Sequence, residues 1–220
     1  MRFDSLIFDI DGTLWDATKA VAASFSEASA RLPFGQKTFT EDRIKKELGL
    51  PLNVIFMHLY PELESMMSTN RKQAEELLAR LNRLSTEAEY AYLEQNGADI
   101  YPGVPETLKA LSEKLPLFIV SNCEKGYIEL MTRVCGIEDY FTDHLSYGDT
   151  ESEKDVNIRL LADKYKLKAP AYIGDIEKDA LSSKRAGVPF IWASYGFGDV
   201  AKELYCEKIN DFRELKDIIE

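Results

Sequence analysis

Four short apolar runs restrict what this chain can fold into. They are Leu6-Ile7-Phe8, Leu117-Phe118-Ile119-Val120, Ala171-Tyr172-Ile173 and Val188-Pro189-Phe190-Ile191-Trp192. Short apolar runs bounded by polar and turn residues read as buried strands. From Tyr101 onward, stretches of helical spacing separate them. Val104, Leu108, Leu111 and Leu115 share one face, as do Ile158, Leu161, Ala162 and Tyr165. Further helices are expected from about Tyr127 to Cys135, stopped by Gly136, and from about Asp179 to Ala186, before Gly187. A weaker strand is expected near His144-Leu145-Ser146, and a closing helix from Asp211. Alternation of this kind builds a parallel sheet with helices on both faces.

The stretch between the first strand and Tyr101 has a different pattern. Val21, Phe25, Ala28 and Leu32 fall on one helical face, with Asp16 or Thr18 as the expected cap and Pro33-Phe34-Gly35 as the stop. Thr40 is placed to cap a short helix carrying Ile44 and Leu48, and Pro51 to open another with Val54, Ile55, His58 and Leu59. No Gly or Pro interrupts Asn70 to Asn96, where Leu77, Leu81, Leu84 and Ala88 keep helical spacing, and Gly97 closes that segment. No strand signal occurs in this block. The expected architecture is therefore an α/β, Rossmann-like core formed by residues 1–15 and 96–220, with an all-α cap, residues 16–95, inserted after the first strand.

Composition narrows the function classes. A net charge of −11 argues against nucleic acid or an anionic membrane as partner. Cys123, Cys135 and Cys206 are odd in number and far apart, which suggests neither a zinc site nor a disulfide framework. No apolar run approaches transmembrane length, and the chain opens without a signal-peptide pattern, so the cytoplasm is the expected location. Oligomeric state has no sequence signal here.

The strand ends carry the chemistry. The first strand runs into Asp9-Ile10-Asp11-Gly12-Thr13. Side chains two apart on an extended chain point the same way, so Asp9 and Asp11 project together and Gly12 permits a sharp turn. Adjacent carboxylates repel and raise each other's pKa. A hard cation between them would relieve this, and so would a proton on one of them, which makes the other a nucleophile beside a general acid. An ordinary polar turn after a strand would show the same Asp-Gly pair. Ser121 and Asn122 end the second strand, and Gly174 and Asp175 end another. Asp179 follows four residues later, and Lys154 lies in a polar loop, Gly148 to Asp155, before a helix. Open parallel sheets bind ligands at the carboxyl ends of their strands.

Asp9-Ile10-Asp11-Gly12-Thr13-Leu14, then Ser121, then Lys154, then Gly174-Asp175 with Asp179 resemble, in order, the four motifs of the haloacid dehalogenase superfamily. The chain is most similar to its phosphatase branch with a helical cap, phosphoglycolate phosphatases being the nearest type. The resemblance implies a phosphomonoesterase for a small phosphorylated metabolite. Asp9 would be the nucleophile forming an aspartyl-phosphate, and Asp11 the general acid and base. Mg²⁺ would be held by the carboxylates of Asp9 and Asp175 and the backbone carbonyl of Asp11. Ser121 and Lys154, with an Asn122 backbone donor, would hold the phosphoryl oxygens, with Thr13 and Gly174 in support. Asp179 would steady Lys154 or a metal-bound water. An aspartate at position 11 favours phosphate esters or a phosphomutase over dehalogenation. The competing readings are a sugar-phosphate mutase and a binding or regulatory protein that keeps the fold without turnover.

Overall fold

The computed structural model describes residues 2–219, which divide into two compact units: residues 2–16 with 98–219, and Ala17–Gly97. The first unit opens with strand β1 (Ser5–Phe8), followed by the two-residue strand β2 (Trp15–Asp16). The second unit is entirely helical: α1 (Thr18–Ser29), α2 (Glu41–Lys45), α3 (Leu52–Leu59), α4 (Pro61–Thr69) and α5 (Arg71–Asn96). The chain then returns to the first unit through β3 (Asp99–Ile100), α6 (Val104–Ser112), β4 (Leu117–Ser121) and α7 (Tyr127–Cys135). Next come β5 (Asp143–Ser146), α8 (Tyr147–Thr150), α9 (Lys154–Tyr165), β6 (Pro170–Gly174) and α10 (Glu177–Ala186). The last elements are β7 (Phe190–Ala193), β8 (Glu207–Ile209) and α11 (Leu215–Ile219).

The main sheet has the order β5-β4-β1-β6-β7-β8 and every pairing in it is parallel. β1 is central, and all four of its residues are buried. Alternate side chains serve opposite faces. Ile7 packs in a cluster with Phe118, Ile158 and Leu161, while Phe8 meets Phe141 and Phe212. That two-sided burial explains why β1, β4 and β6 read as continuous apolar runs and not as alternating ones.

The helical unit is held by the face expected for its first and last helices. Val21, Phe25 and Ala28 of α1 are buried, as are Leu81, Leu84 and Ala88 of α5, and the two helices pack together. Thr40 and Asn70 cap α2 and α5 by accepting the backbone N–H of Arg43 and Gln73.

Several local expectations are corrected. Neither Asp16 nor Thr18 caps α1: Asp16 pairs with Asp99 in an antiparallel β2–β3 ribbon, and Ala17 takes the cap position with no side-chain bond. That ribbon is two residues long on each side, too short for a periodic signal. Lys154 is not in a loop. A short helix, α8, capped by Ser146, occupies part of that stretch, and Lys154 begins α9. Strand β8 and helix α4 lay outside the expected elements. The expected helix from Asp211 is a single 3-10 turn, Phe212–Glu214, followed by α11.

Candidate active site

Register brings the polar strand ends to one edge. Phe8 of β1 lies opposite Ile119 of β4 and Ile173 of β6. Asp9, Ser121 and Gly174-Asp175, one or two residues beyond that level, therefore leave the sheet at its carboxyl edge. Asp9 N donates to Ile173 O at 2.8 Å, which carries the β1–β6 ladder one residue further and fixes the start of the Asp9 side chain.

Two carboxylates converge on one ammonium there. Lys154 Nζ lies 3.0 Å from Asp9 Oδ2 and 2.6 Å from Asp179 Oδ1, and all three side chains are at most 5% exposed. Asp179 Oδ2 accepts the backbone N–H of Asp175 at 3.2 Å and of Ile176 at 3.4 Å, so this first-turn residue of α10 ties Lys154 to the end of β6. Asp175 Oδ2 accepts Phe197 N–H at 2.7 Å, and Oδ1 accepts the Thr13 hydroxyl at 3.4 Å. Gly12 has φ +82°, and a Cβ there would overlap the Asp175 carboxylate. A Cβ on Gly196 would collide with both Asp175 and the Gly12 carbonyl. These two glycines let loops from opposite ends of the chain close around Asp175.

Burial and the charge of Asp179 push the Asp9 carboxyl up to about 7, against the pull of Lys154. Burial, then Asp179 and Asp9, push Asp175 well above the usual carboxylate range. Burial alone would favour a neutral Lys154, yet Asp179 and Asp9 outweigh it and hold the ammonium well above its ordinary value. The cluster is thus short of positive charge. Asp9 Oδ1 is buried with no hydrogen-bond partner, and carboxylate oxygens of Asp9, Asp175 and Asp179 lie within 4.8 Å of one another. An orphaned buried carboxylate oxygen in an all-oxygen donor set fits a hard divalent cation. The third carboxylate of this cluster is Asp179. Asp11 directs its side chain elsewhere.

Asp11 has a different setting. Its Oδ1 accepts the Trp15 indole N–H at 2.8 Å and the Tyr127 hydroxyl at 2.9 Å. Burial pushes this carboxyl up to about 6, with the two hydrogen bonds opposing. Two carboxylates two residues apart therefore have unlike partners: Asp9 an ammonium, Asp11 two neutral donors.

Ser121 is buried at the end of β4, and Asn122, next to it, is half-buried. Burial, then the negative charge of Asp11, raises the Cys123 thiol well above its ordinary value, against a hydrogen bond with Ser121, so this cysteine stays protonated. His58 is paired with Glu47 and His144 with Glu129. Sequence reasoning missed Tyr127 and the stretch Tyr195–Phe197, whose Tyr195 hydroxyl bonds Thr13 O at 2.8 Å. Gly196 and Gly198 soon after strand β7 were the available signal for that loop.

Known proteins resemble this chain over most of its length. The model of the haloacid dehalogenase-like hydrolases matches residues 6–193. Phosphoglycolate phosphatase of Vibrio vulnificus (strain YJ016) is 28% identical over 201 residues, spanning 87% of this chain and 84% of that protein. Phosphoglycolate phosphatase of Escherichia coli (strain K12) is 27% identical over 209 residues, spanning 86% and 81%. Among solved structures, a predicted phosphoglycolate phosphatase from Haemophilus somnus 129PT has a TM-score of 0.81 at 23% identity, covering 100% of this chain and 99% of that one. A haloacid dehalogenase-like hydrolase from Streptococcus pneumoniae gives 0.81 at 18% identity with the same coverage. At those identities the structures speak for the fold, and the family match carries the assignment: this chain belongs to the haloacid dehalogenase-like hydrolases.

Proposed function

We propose that the protein is a Mg²⁺-dependent phosphomonoester hydrolase acting on a small phosphorylated metabolite, by way of an aspartyl-phosphate on Asp9. The observation that carries the reading is the unlike setting of Asp9 and Asp11. Asp9 is paired with Lys154, whereas Asp11 is a half-buried carboxyl raised to about 6 among neutral donors. Paired carboxyls pushed into different roles by their surroundings are the pattern of a nucleophile beside a general acid.

Asp9 and Asp175 would hold the cation, together with the Asp11 carbonyl, and Asp179 would act on it through Lys154. Bound there, the ion would neutralise charge shared by the carboxylates and the phosphoryl oxygens. Asp9 attacks phosphorus as the ester P–O bond breaks, and Asp11 gives its proton to the leaving oxygen. Asp11 then takes a proton from the water that attacks phosphorus and releases phosphate from Asp9. Lys154 and Ser121, with Asn122, orient the phosphoryl oxygens. Thr13 and Gly174 support the site by bonding Asp175 and by leaving room for Asp179. The helical insertion is assigned to substrate selection, on its place in sequence directly after the first motif. Phosphoglycolate is the first substrate to try, on the names of the relatives.

Phosphate release from phosphoglycolate, sugar phosphates and nucleoside monophosphates, with Mg²⁺ or chelator, tests this. Release should require the metal and vanish in Asp9→Asn. Release that persists in Asp9→Asn from purified protein would remove Asp9 from the chemistry. Transfer of the phosphoryl group between positions of a sugar, without free phosphate, would make the protein a mutase.

A further inference from the structure

The turn after β1 is folded so as to bring an aromatic side chain back onto Asp11. Thr13 N and Leu14 N both donate to Ile10 O, at 3.0 and 2.8 Å, and Gly12 N donates to Trp15 O at 2.9 Å. This closes residues 10–15 into a compact loop, with Gly12 supplying the left-handed turn at φ +82°. Trp15 is fully buried, and its indole N–H reaches Asp11 Oδ1 at 2.8 Å. From the other side Tyr127, the first residue of α7 and only 6% exposed, donates its hydroxyl to the same oxygen at 2.9 Å. The two rings lie 6.2 Å apart at 45°, so each limits the movement of the other.

The chemistry of the donors makes this arrangement directional. Indole nitrogen donates and never accepts. A proton on Oδ1 would face the Trp15 N–H, whereas a proton on Oδ2 leaves both bonds intact. Neither donor is directed at Oδ2. We propose that Trp15 and Tyr127 are positioning residues which hold Asp11 by Oδ1 and reserve Oδ2 as the oxygen that passes the proton. The inference rests on Asp11 being the general acid and base of the proposed hydrolysis, and it adds which oxygen acts and what aims it. Atoms balance in both halves. The Oδ2 proton goes to the leaving oxygen as the ester P–O bond breaks. Oδ2 recovers a proton from water as the water oxygen bonds to phosphorus and the bond to Asp9 breaks.

An acid matters most where the leaving group is poor. The kinetic constant kcat/KM covers steps through leaving-group departure, so it isolates the donor role from the later hydrolysis. The test compares the best alkyl phosphate substrate with 4-nitrophenyl phosphate, whose leaving group departs with little help. The proteins are wild type, Asp11→Asn, Trp15→Phe, Tyr127→Phe and the double aromatic variant. General acid–base catalysis contributes about 10²- to 10⁴-fold, so Asp11→Asn should lose a factor in that range on the alkyl ester and far less on the nitrophenyl ester. Tyr127→Phe and Trp15→Phe should each lose roughly 10-fold on the alkyl ester and under about 3-fold on the other, and the double variant more, since misaiming costs part of the proton-transfer advantage. The inhibition constant for inorganic phosphate should hold steady in the single variants. Tyr127→Phe removes one hydroxyl only, and it decides the matter if Trp15→Phe fails to fold. Equal losses on both esters, or none, alongside a selective loss in Asp11→Asn, would overturn the positioning role alone. A wild type that releases no phosphate would overturn the hydrolase reading and the positioning with it, whereas an Asp11→Asn variant as active as wild type on both esters would remove Asp11 from the acid–base role, and the positioning with it, while leaving the hydrolase reading standing.

Discussion

Each unit of this protein buries an ionic residue between two polar partners, Lys154 in one and Glu47 in the other, and these two triads differ in kind. In the α/β unit Lys154 sits between Asp9 and Asp179, with side chains 3%, 5% and 1% exposed. In the helical unit Glu47, 8% exposed, is paired with Arg43 and with His58, which are 40% and 50% exposed. The Glu47 triad is local, built within α2, the turn after it and α3, and both partners of Glu47 reach solvent. The Lys154 triad joins residues from three strand and helix ends, buries every member and leaves Asp9 Oδ1 without a partner. Buried pairs recover their desolvation cost only when fully satisfied. An unsatisfied, charge-poor cluster marks a place where something else binds, whereas a satisfied, solvent-touching cluster holds structure.

Removing the central charge should separate them most. Lys154→Met leaves two buried carboxylates facing each other. It should abolish measurable turnover and cost about 3–5 kcal/mol of stability in the absence of metal, the range for orphaning a buried charge. Denaturant unfolding with chelator present reads the second figure. A metal-free variant as stable as wild type would mean Lys154 does not neutralise this cluster.

Asp179→Asn is milder, because the amide oxygen can still accept the Asp175 and Ile176 N–H groups while the amide nitrogen would face the ammonium. Lys154 keeps Asp9 and loses its shorter bond. Disturbing such an outer partner typically costs about 10- to 100-fold in activity or metal affinity. The expected signature is a fall in kcat/KM with a higher Mg²⁺ requirement. An unchanged metal titration with unchanged kcat/KM would make Asp179 a helix-start residue and no more.

How much of this was readable before the structure depends on what each element advertises. β1, β4 and β6 were legible because two-sided burial writes a continuous apolar run, and their polar ends followed from where the runs stopped. The pairing of Lys154 with Asp179 was set out only through the family resemblance, since nothing local announces a partner 25 residues away. Trp15 and Tyr127 were illegible in their role. Aromatic residues at buried positions pack whether or not they also donate a hydrogen bond, and periodicity holds no information on where an indole N–H points. The β2–β3 ribbon escaped for a simpler reason: two residues cannot display a period of two. Glu47, with Arg43 four residues before it on a helix, had a visible partner, but its burial depended on how α2 and α3 pack.

The helical unit supplies the smaller effects. Glu47→Gln keeps the shape and removes the charge, and with both partners reaching solvent the loss should be roughly 1 kcal/mol. The same residue gives the comparison its pH dependence. Burial by itself would raise the Glu47 carboxyl, but hydrogen bonds from His58 and Arg43 outweigh it and hold the group below the ordinary glutamate value of 4.5. A carboxyl depressed on folding stabilises the folded state fully above its unfolded pKa and loses that contribution as pH falls through the folded one. The stability gap between wild type and Glu47→Gln should therefore close as pH drops below 4.5. Added salt should narrow the gap at neutral pH, because exposed partners are screened, while leaving the Lys154 cluster almost untouched. Urea unfolding of the two proteins between pH 7 and pH 3, at low and high salt, measures both. A gap that keeps its size down to pH 3 would show that the negative charge of Glu47 contributes nothing and that packing alone holds α2 to α3.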